Sequence, residues 1–467
     1  MDYAFTKLKS CKAVQIIIKA LQSKLFPFVA MAVSLLGYYL SLDIVTILYL
    51  AITTTLIVLL LDDLSPMISN VLFFNVFISW DNSPANGRGH SDYYLRPEIL
   101  IPIIIVAVIL GIALIYRFIL TCVQKRFKFT PVFFGFVVFC VSLLLNGVTN
   151  KDYIVYNLVF AAMLTLALLG IFALVKDNVK VNKDSLERVA LGFIAFGILL
   201  VVELAVIYAT TDVFAGGSID RYKINFGWGV YTRYGALLTM CIPATFYLAH
   251  YKKYGFVYTA LSFIFLVAVI FSCCRQAMVT TVIIYPVCAL ILIIKGQNRI
   301  ANACVLAAAA ICGIVVAGLF QNEVFDFFKT IYANVITNGE LNGSGRMELW
   351  RNAIADFKAF PVFGRGFYKL AEGEKLTSFT FPHMYHNTVL EMMGSCGIIG
   401  LLAYTAYSAL TTVSYCKKIT IPRTFIALTV LTVLINSLLD NHIFNIVHTM
   451  AYSFMIALLV KSEKEEF

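Results

Sequence analysis

The chain has 467 residues, 60% of them hydrophobic and 13% charged, with a net charge of +10 and a mean hydropathy of +0.86. Water-soluble domains carry roughly 45–50% apolar and about 25% charged residues, so this composition excludes one. Lys and Arg sit in short stretches between apolar runs, a pattern that orients a membrane chain and does not mark a nucleic-acid surface.

The first 24 residues are basic and amphipathic, with Lys7, Lys9, Lys12, Lys19 and Lys24, and no small-residue cleavage site follows. Apolar runs then fall at about 25–41, 43–61, 64–79, 98–118, 131–147, 154–175 and 189–209. They continue at about 229–249, 256–273, 276–294, 300–319, 386–410, 424–438 and 444–460. Their lengths suit helices, not the ten-residue alternating strands of a barrel. The expected fold is an all-α polytopic transmembrane bundle of about 12–14 spans with one ordered extracytoplasmic loop. Asp62-Asp63, between two early runs, reads as a solvated turn. The eleven cysteines contain no CxxC and mostly lie within spans, so they suggest neither a disulfide framework nor a zinc site. Cys273 and Cys274 read as packing residues.

Orientation follows from basic residues. With the N-terminus inside, the cytoplasmic segments hold 22 Lys+Arg, and the opposite short segments hold 6. The long segment 320–385 has 7 basic and 7 acidic residues, but loops of that length translocate largely regardless of charge. The expectation is therefore a bacterial plasma-membrane protein with both termini in the cytoplasm and 320–385 outside. Within that loop, Met347, Trp350, Ile354 and Phe357 form one apolar stripe of a helix over about 346–359, ended by Pro361. The stripe should rest on the membrane face of the bundle, with Arg346, Arg351 and Lys358 around it.

Four residues with chemical potential fall on the outer side by this topology. Arg275 occupies a tight turn between two spans, Arg233 lies one turn inside a span, Arg346 opens the loop helix, and His386 precedes the next span. An arginine at a membrane rim is expensive without a partner. One arginine could be snorkelling to lipid or pairing with Glu203 or Asp212. Three converging beside a histidine point instead to a diphosphate or similar polyanion, because the guanidinium fork matches phosphate oxygens and keeps its charge. Thr388 and Glu391 stand in a capping-box relation, so a helix should begin at 388. The positive end of its dipole would then keep His386 neutral and able to act as a general base.

Other motifs carry less. His383 and His386 form an HxxH pair without a third ligand nearby, so no metal site is assigned. Asn342-Gly343-Ser344 matches a glycosylation acceptor, a pattern too short to weigh. Walker, GxSxG and HExxH motifs are absent, and no cofactor is implied.

From about 256 to 410 the chain resembles the O-antigen ligase/polymerase superfamily of bacterial membrane glycosyltransferases. The resemblance rests on the turn Phe-Ser-Cys-Cys-Arg275-Gln-Ala, on Arg346-Met-Glu-Leu-Trp350, and on Pro361-Val-Phe-Gly364-Arg-Gly366. It closes on His386-Asn387 with Leu390-Glu391, and on Gly394, Gly397 and Gly400. Cys274 departs from the serine common in the family, the external loop is modest in length, and the first 200 residues share only the general hydrophobic character.

The resemblance implies metal-independent, inverting transfer of a glycan from an undecaprenyl-diphosphate-linked oligosaccharide to a glycan or lipid acceptor hydroxyl at the outer membrane face. Arg275 and Arg346 would neutralise the diphosphate, and His386 would take the acceptor proton. Arg233, Asn387 and Arg351 are the candidate substrate contacts. The chain then divides into N-terminal helices (1–255), helices that open the ligase-like region (256–319), the extracytoplasmic loop (320–385) and C-terminal helices (386–467). A surface-polysaccharide polymerase is expected, with a ligase as runner-up. A flippase for the same lipids would place charge at mid-membrane and show repeated halves, and neither is visible. An inactive assembly subunit is the remaining alternative.

Overall fold

The computed structural model describes residues 9–78, 97–215, 218–226, 231–319, 346–368, 382 and 384–464. Helices dominate them. The N-terminal part holds α1 (Lys12–Leu21), α2 (Phe26–Tyr39), α3 (Asp43–Leu60), α4 (Met67–Phe73), α5 (Asn75–Ile78), α6 (Pro97–Val123), α7 (Pro131–Leu144), α8 (Val155–Asn178) and α9 (Lys183–Thr210). A two-residue hairpin pairs Phe214–Ala215 with Ser218–Ile219. There follow α10 (Tyr231–Tyr251), α11 (Gly255–Phe271), α12 (Arg275–Lys295), α13 (Arg299–Leu319) and the loop helix α14 (Arg346–Ala359). Helices α15 (Thr388–Cys416), α16 (Ile421–Leu439) and α17 (Ile446–Lys461) complete the chain.

Among the described residues seven helices are long and apolar enough to span a bilayer, or eight if the pair α1 and α2, bent by 80°, counts as one. The outward face of α6 shows why lipid is required. Ile101, Ile105, Ile112 and Ile119 are each more than half exposed, in a stripe at helical spacing that water would not tolerate. By contrast α10 is buried on every side from Tyr234 to His250 and forms the axis of the bundle.

Two expectations change here. The run 64–79 is not one span: it breaks into α4 and α5, and every residue from Met67 to Phe73 is buried. Asp63 is not a solvated turn either. Its carboxylate is buried, accepts from Ser65 and Ser185, and pairs with Arg188 at 2.7 Å, since a buried charge must be matched. Only its neighbour Asp62 is exposed, paired with Lys9.

Ion pairs order the two ends of the bundle. Glu187, at the start of α9, is held by Lys24 and by Lys252, just past α10. Antiparallel running then brings the end of α9, the start of α10, the turn from α11 to α12 and the connection from α16 to α17 to the other end. That second end carries the functional candidates.

The segment after α14 is locked onto α15. Arg365 N donates to Gly394 O, Gly366 N to Ser395 O, and Ile398 N to Pro361 O. Helix α15 kinks at Gly397 (φ 66°, ψ −160°), a conformation essentially reserved for glycine. A Cβ there would stand 2.5 Å from Val362 O, and one on Gly364 would stand 2.3 Å from Ser395 C. The two glycine motifs noted in the sequence are thus halves of one backbone-to-backbone contact.

The stripe expected on α14 is only partly the packed one. Ala353 and Asp356 are its buried residues, Trp350 and Phe357 flank them, and Ile354 is 43% exposed. The small Ala353 lets the helix approach α15. Asp356 sits in the contact because Tyr385 Oη donates to it at 2.7 Å and Arg365 pairs with it at 3.0 Å.

Candidate active site

The turn before α12 sets the first element. Tyr208 Oη donates to Phe271 O, Cys273 adopts a left-handed φ of 54°, and the buried Cys274 precedes the helix. This projects Arg275 outward at a helix N-terminus, where the dipole opposes a cation. The next residue, Gln276, turns inward. Its Nε2 donates to His442 Nε2 at 2.7 Å, with Thr232 O and Asp440 Oδ2 each at 3.4 Å.

Asp440, directly after α16, is the hub. Its Oδ1 lies 2.7 Å from His386 Nδ1 and accepts from the Asn441 N–H at 2.8 Å. Burial pushes this carboxyl up, but the His386 hydrogen bond, the nearby His442 and the Asn441 N–H outweigh it and hold the group well below the usual carboxylate range. The same hydrogen bond raises His386 above its ordinary value, against burial and the charge of Arg346. Buried His442 is pushed down to about 4, chiefly by desolvation, and stays neutral as the acceptor for Gln276.

The expectation that the helix dipole keeps His386 neutral is therefore corrected. A carboxylate in direct contact outweighs a partial charge at a helix end. The correction improves the chemistry. With the Nδ1 proton held by Asp440, the Nε2 lone pair is left free, and the ring is 43% exposed. His386 also has a left-handed φ of 52°, a strained backbone for a non-glycine residue and a feature that clusters at functional sites.

The capping assignment changes too. Helix α15 does begin at Thr388, but Asn387 is its cap: Asn387 Oδ1 accepts from Val389 N and Leu390 N at 2.9 and 3.1 Å. Its Nδ2 donates to Leu438 O at 2.8 Å, so both ends of the amide are engaged. Glu391 does not reach back to the cap; it accepts from Tyr385 N, Asn441 Nδ2 and Ser395 Oγ.

Arg233 stands on the first turn of α10. With the Asn445 amide oxygen facing the guanidinium, Arg233 Nε and Nη2 donate to it at 3.0 and 3.2 Å. Arg346, at the start of α14, acts electrostatically on His386, Arg275 and His442. The structure therefore gathers His386, Arg275, Arg346 and Arg233 at one end of the bundle. Arg351, exposed on the same helix, is turned by about 140° from Arg346, on a different face of α14. His383 and the 342–344 acceptor pattern lie outside the described residues.

Residues 231–405 match the O-antigen ligase family. That range contains Arg233, Arg275, Arg346 and His386, in agreement with the superfamily resemblance seen in the sequence. No curated relative matches the chain. The O-antigen ligase match stops short of Asp440 and His442, although Asp440 completes the site within it.

Asp440, Gln276 and His442 are the site residues that sequence reasoning missed. A signal existed: Asp440-Asn441-His442 is a polar step between two apolar runs, on the same side as His386 by span parity. Arg221 was missed as well. It follows the small hairpin, stacks over Tyr222 and Tyr231 at 4.9 and 5.7 Å, and its charge acts on Arg275.

Proposed function

We propose that the chain transfers a glycan from an undecaprenyl-diphosphate carrier to an acceptor hydroxyl at the outer face of a bacterial plasma membrane. The observation that carries this reading is the His386–Asp440 pair beside Arg233, Arg275 and Arg346. His386 Nε2 takes the acceptor proton as the hydroxyl oxygen bonds to the anomeric carbon. The bond from that carbon to the carrier diphosphate breaks, and its electron pair leaves with the diphosphate oxygen. Arg275 and Arg346 neutralise the charge that develops there, a role fixed cations fill without reorganisation. Arg233, braced by Asn445, makes a secondary contact.

One displacement from the face opposite the leaving group inverts the anomeric centre. The guanidinium groups supply the positive charge, so the reaction proceeds without a metal. The excess of basic residues on the other side of the bundle supports cytoplasmic termini and an extracytoplasmic site.

A polymerase is the favoured activity, acting on a glycan acceptor to build a surface polysaccharide. The O-antigen ligase match supports a second reading, transfer of the finished glycan to a lipid or protein acceptor. Purified protein incubated with an undecaprenyl-diphosphate oligosaccharide decides between them. A ladder of products establishes the polymerase, a single shifted acceptor the ligase, and no product removes glycosyl transfer.

A further inference from the structure

We propose that Glu391 is a positioning residue that fixes the distance between His386 and Asp440. The inference rests on the glycosyl-transfer reading for its purpose but not for its geometry. One oxygen of this fully buried carboxylate, Oε2, accepts from Tyr385 N at 2.9 Å and from Asn441 Nδ2 at 2.6 Å. Tyr385 immediately precedes His386, and Asn441 immediately follows Asp440. A single atom on α15 therefore ties together the two backbone segments that carry the pair. The other oxygen, Oε1, accepts from Ser395 Oγ at 2.6 Å and holds the carboxylate in place.

The strain at His386 shows what the tie does. A left-handed residue persists only where its surroundings over-determine it. On its C-terminal side Asn387 is fixed by the cap and by Leu438 O; on its N-terminal side the anchor is the bond from Tyr385 N to Glu391. The same tyrosine extends the network outward, because its Oη donates to Asp356 on α14, the helix that begins with Arg346. Glu391 thus links the proton acceptor, its carboxylate partner and the helix carrying a diphosphate-binding arginine. Nothing in this role needs its charge. A glutamine can place its carbonyl oxygen at the Oε2 position and donate its amide hydrogen to Ser395 Oγ, keeping all three contacts.

The test measures the titration of His386 and the transfer reaction separately. Acylation of His386 by diethyl pyrocarbonate, read by tandem mass spectrometry across pH, requires no substrate. In the wild type the midpoint should lie above the ordinary histidine value of about 6.5. Glu391→Ala should return it toward that value and lower kcat at least tenfold with donor KM nearly unchanged. Glu391→Gln keeps the ties and loses only the small direct effect of the Glu391 charge on His386, so its midpoint should stay nearer the wild type than that of the alanine variant. If Glu391→Ala fails to fold, Asn441→Ala, which removes one of the two ties, should shift the midpoint in the same direction. A folded Glu391→Ala or Asn441→Ala with the wild-type midpoint overturns the inference, as does a Glu391→Gln variant as damaged as the alanine. Wild-type protein that makes no glycan product would refute the proposed function instead, and the labelling result would stand apart from it.

Discussion

His386 Nδ1 and Asp440 Oδ1 lie 2.7 Å apart, joined across 54 residues of sequence and two different helix ends. With the Nδ1 proton held by the carboxylate, this contact fixes the tautomer of His386, as the proposed general base requires. Arg346 depresses His386 while Asp440 raises it, so this arginine and the pair are electrostatically linked.

The first prediction concerns Asp440→Asn. With His386 as the proposed base the reaction needs neutral Nε2, so activity should fall as pH drops through the raised value of His386. Removing the carboxylate removes the main cause of that rise, and the acidic limb of the kcat profile should move to lower pH. At the same time the tautomer is no longer fixed, and kcat should drop by about 10²–10⁴-fold, as for loss of the general base in His386→Ala. A pH–rate profile of Asp440→Asn with an unmoved acidic limb would separate His386 from the proton transfer.

The arginines should differ sharply. Arg275→Ala and Arg346→Ala should each lower kcat by about 10²–10³-fold, the usual cost of deleting one donor to a developing anion. Lysine at either position should restore little, because a point charge does not reproduce the planar fork. Arg351→Ala, on a different face of α14, should leave turnover within about twofold of wild type. Equal losses at Arg346 and Arg351 would show that the charge of the helix, and not its geometry, matters.

Metal independence is tested directly. Activity of the purified protein should persist in EDTA and should not rise when magnesium or manganese is added back. Inactivation by the chelator, reversed by a divalent ion, would assign the diphosphate charge to a metal and leave the arginines a lesser role.

The sequence reveals most of this architecture because lipid imposes long apolar helices whose ends are marked by charge. It fails where a segment is apolar for another reason. Residues 67–73 are hydrophobic through burial in protein, not through contact with lipid, and composition cannot tell the two apart. At the site, Arg275, Arg346 and His386 were legible because such groups are expensive at a rim. Asp440 was not, since its importance lies in a contact across 54 residues that no local pattern encodes. The glycines of 361–366 and 394–400 were visible as motifs, yet their reason, two backbones pressed together, appears only in three dimensions.

That contact makes a stability prediction. Gly397→Ala forces a side chain into a glycine-only backbone conformation at a cost of about 1–3 kcal/mol. Its Cβ would also meet Val362 O at 2.5 Å and Gly364 N at 2.6 Å, neither of which can move without releasing the 361–366 segment. The melting temperature should fall by several degrees, measured by tryptophan fluorescence in detergent. An unchanged melting temperature would mean that the segment is not held by this contact.

Asn387 separates a cap from a substrate contact. Its oxygen holds the first turn of α15 and its nitrogen holds Leu438 O, so Asn387→Ala should lower stability by about 0.5–2 kcal/mol, the ordinary value of a cap. Asn387→Asp keeps the oxygen that accepts from Val389 and Leu390, loses the bond to Leu438, and sets a negative charge beside His386. Stability should then stay closer to wild type, while donor KM rises because the new charge repels a diphosphate. If alanine raises donor KM and leaves the melting temperature unchanged, the amide touches the substrate and the capping bonds contribute little.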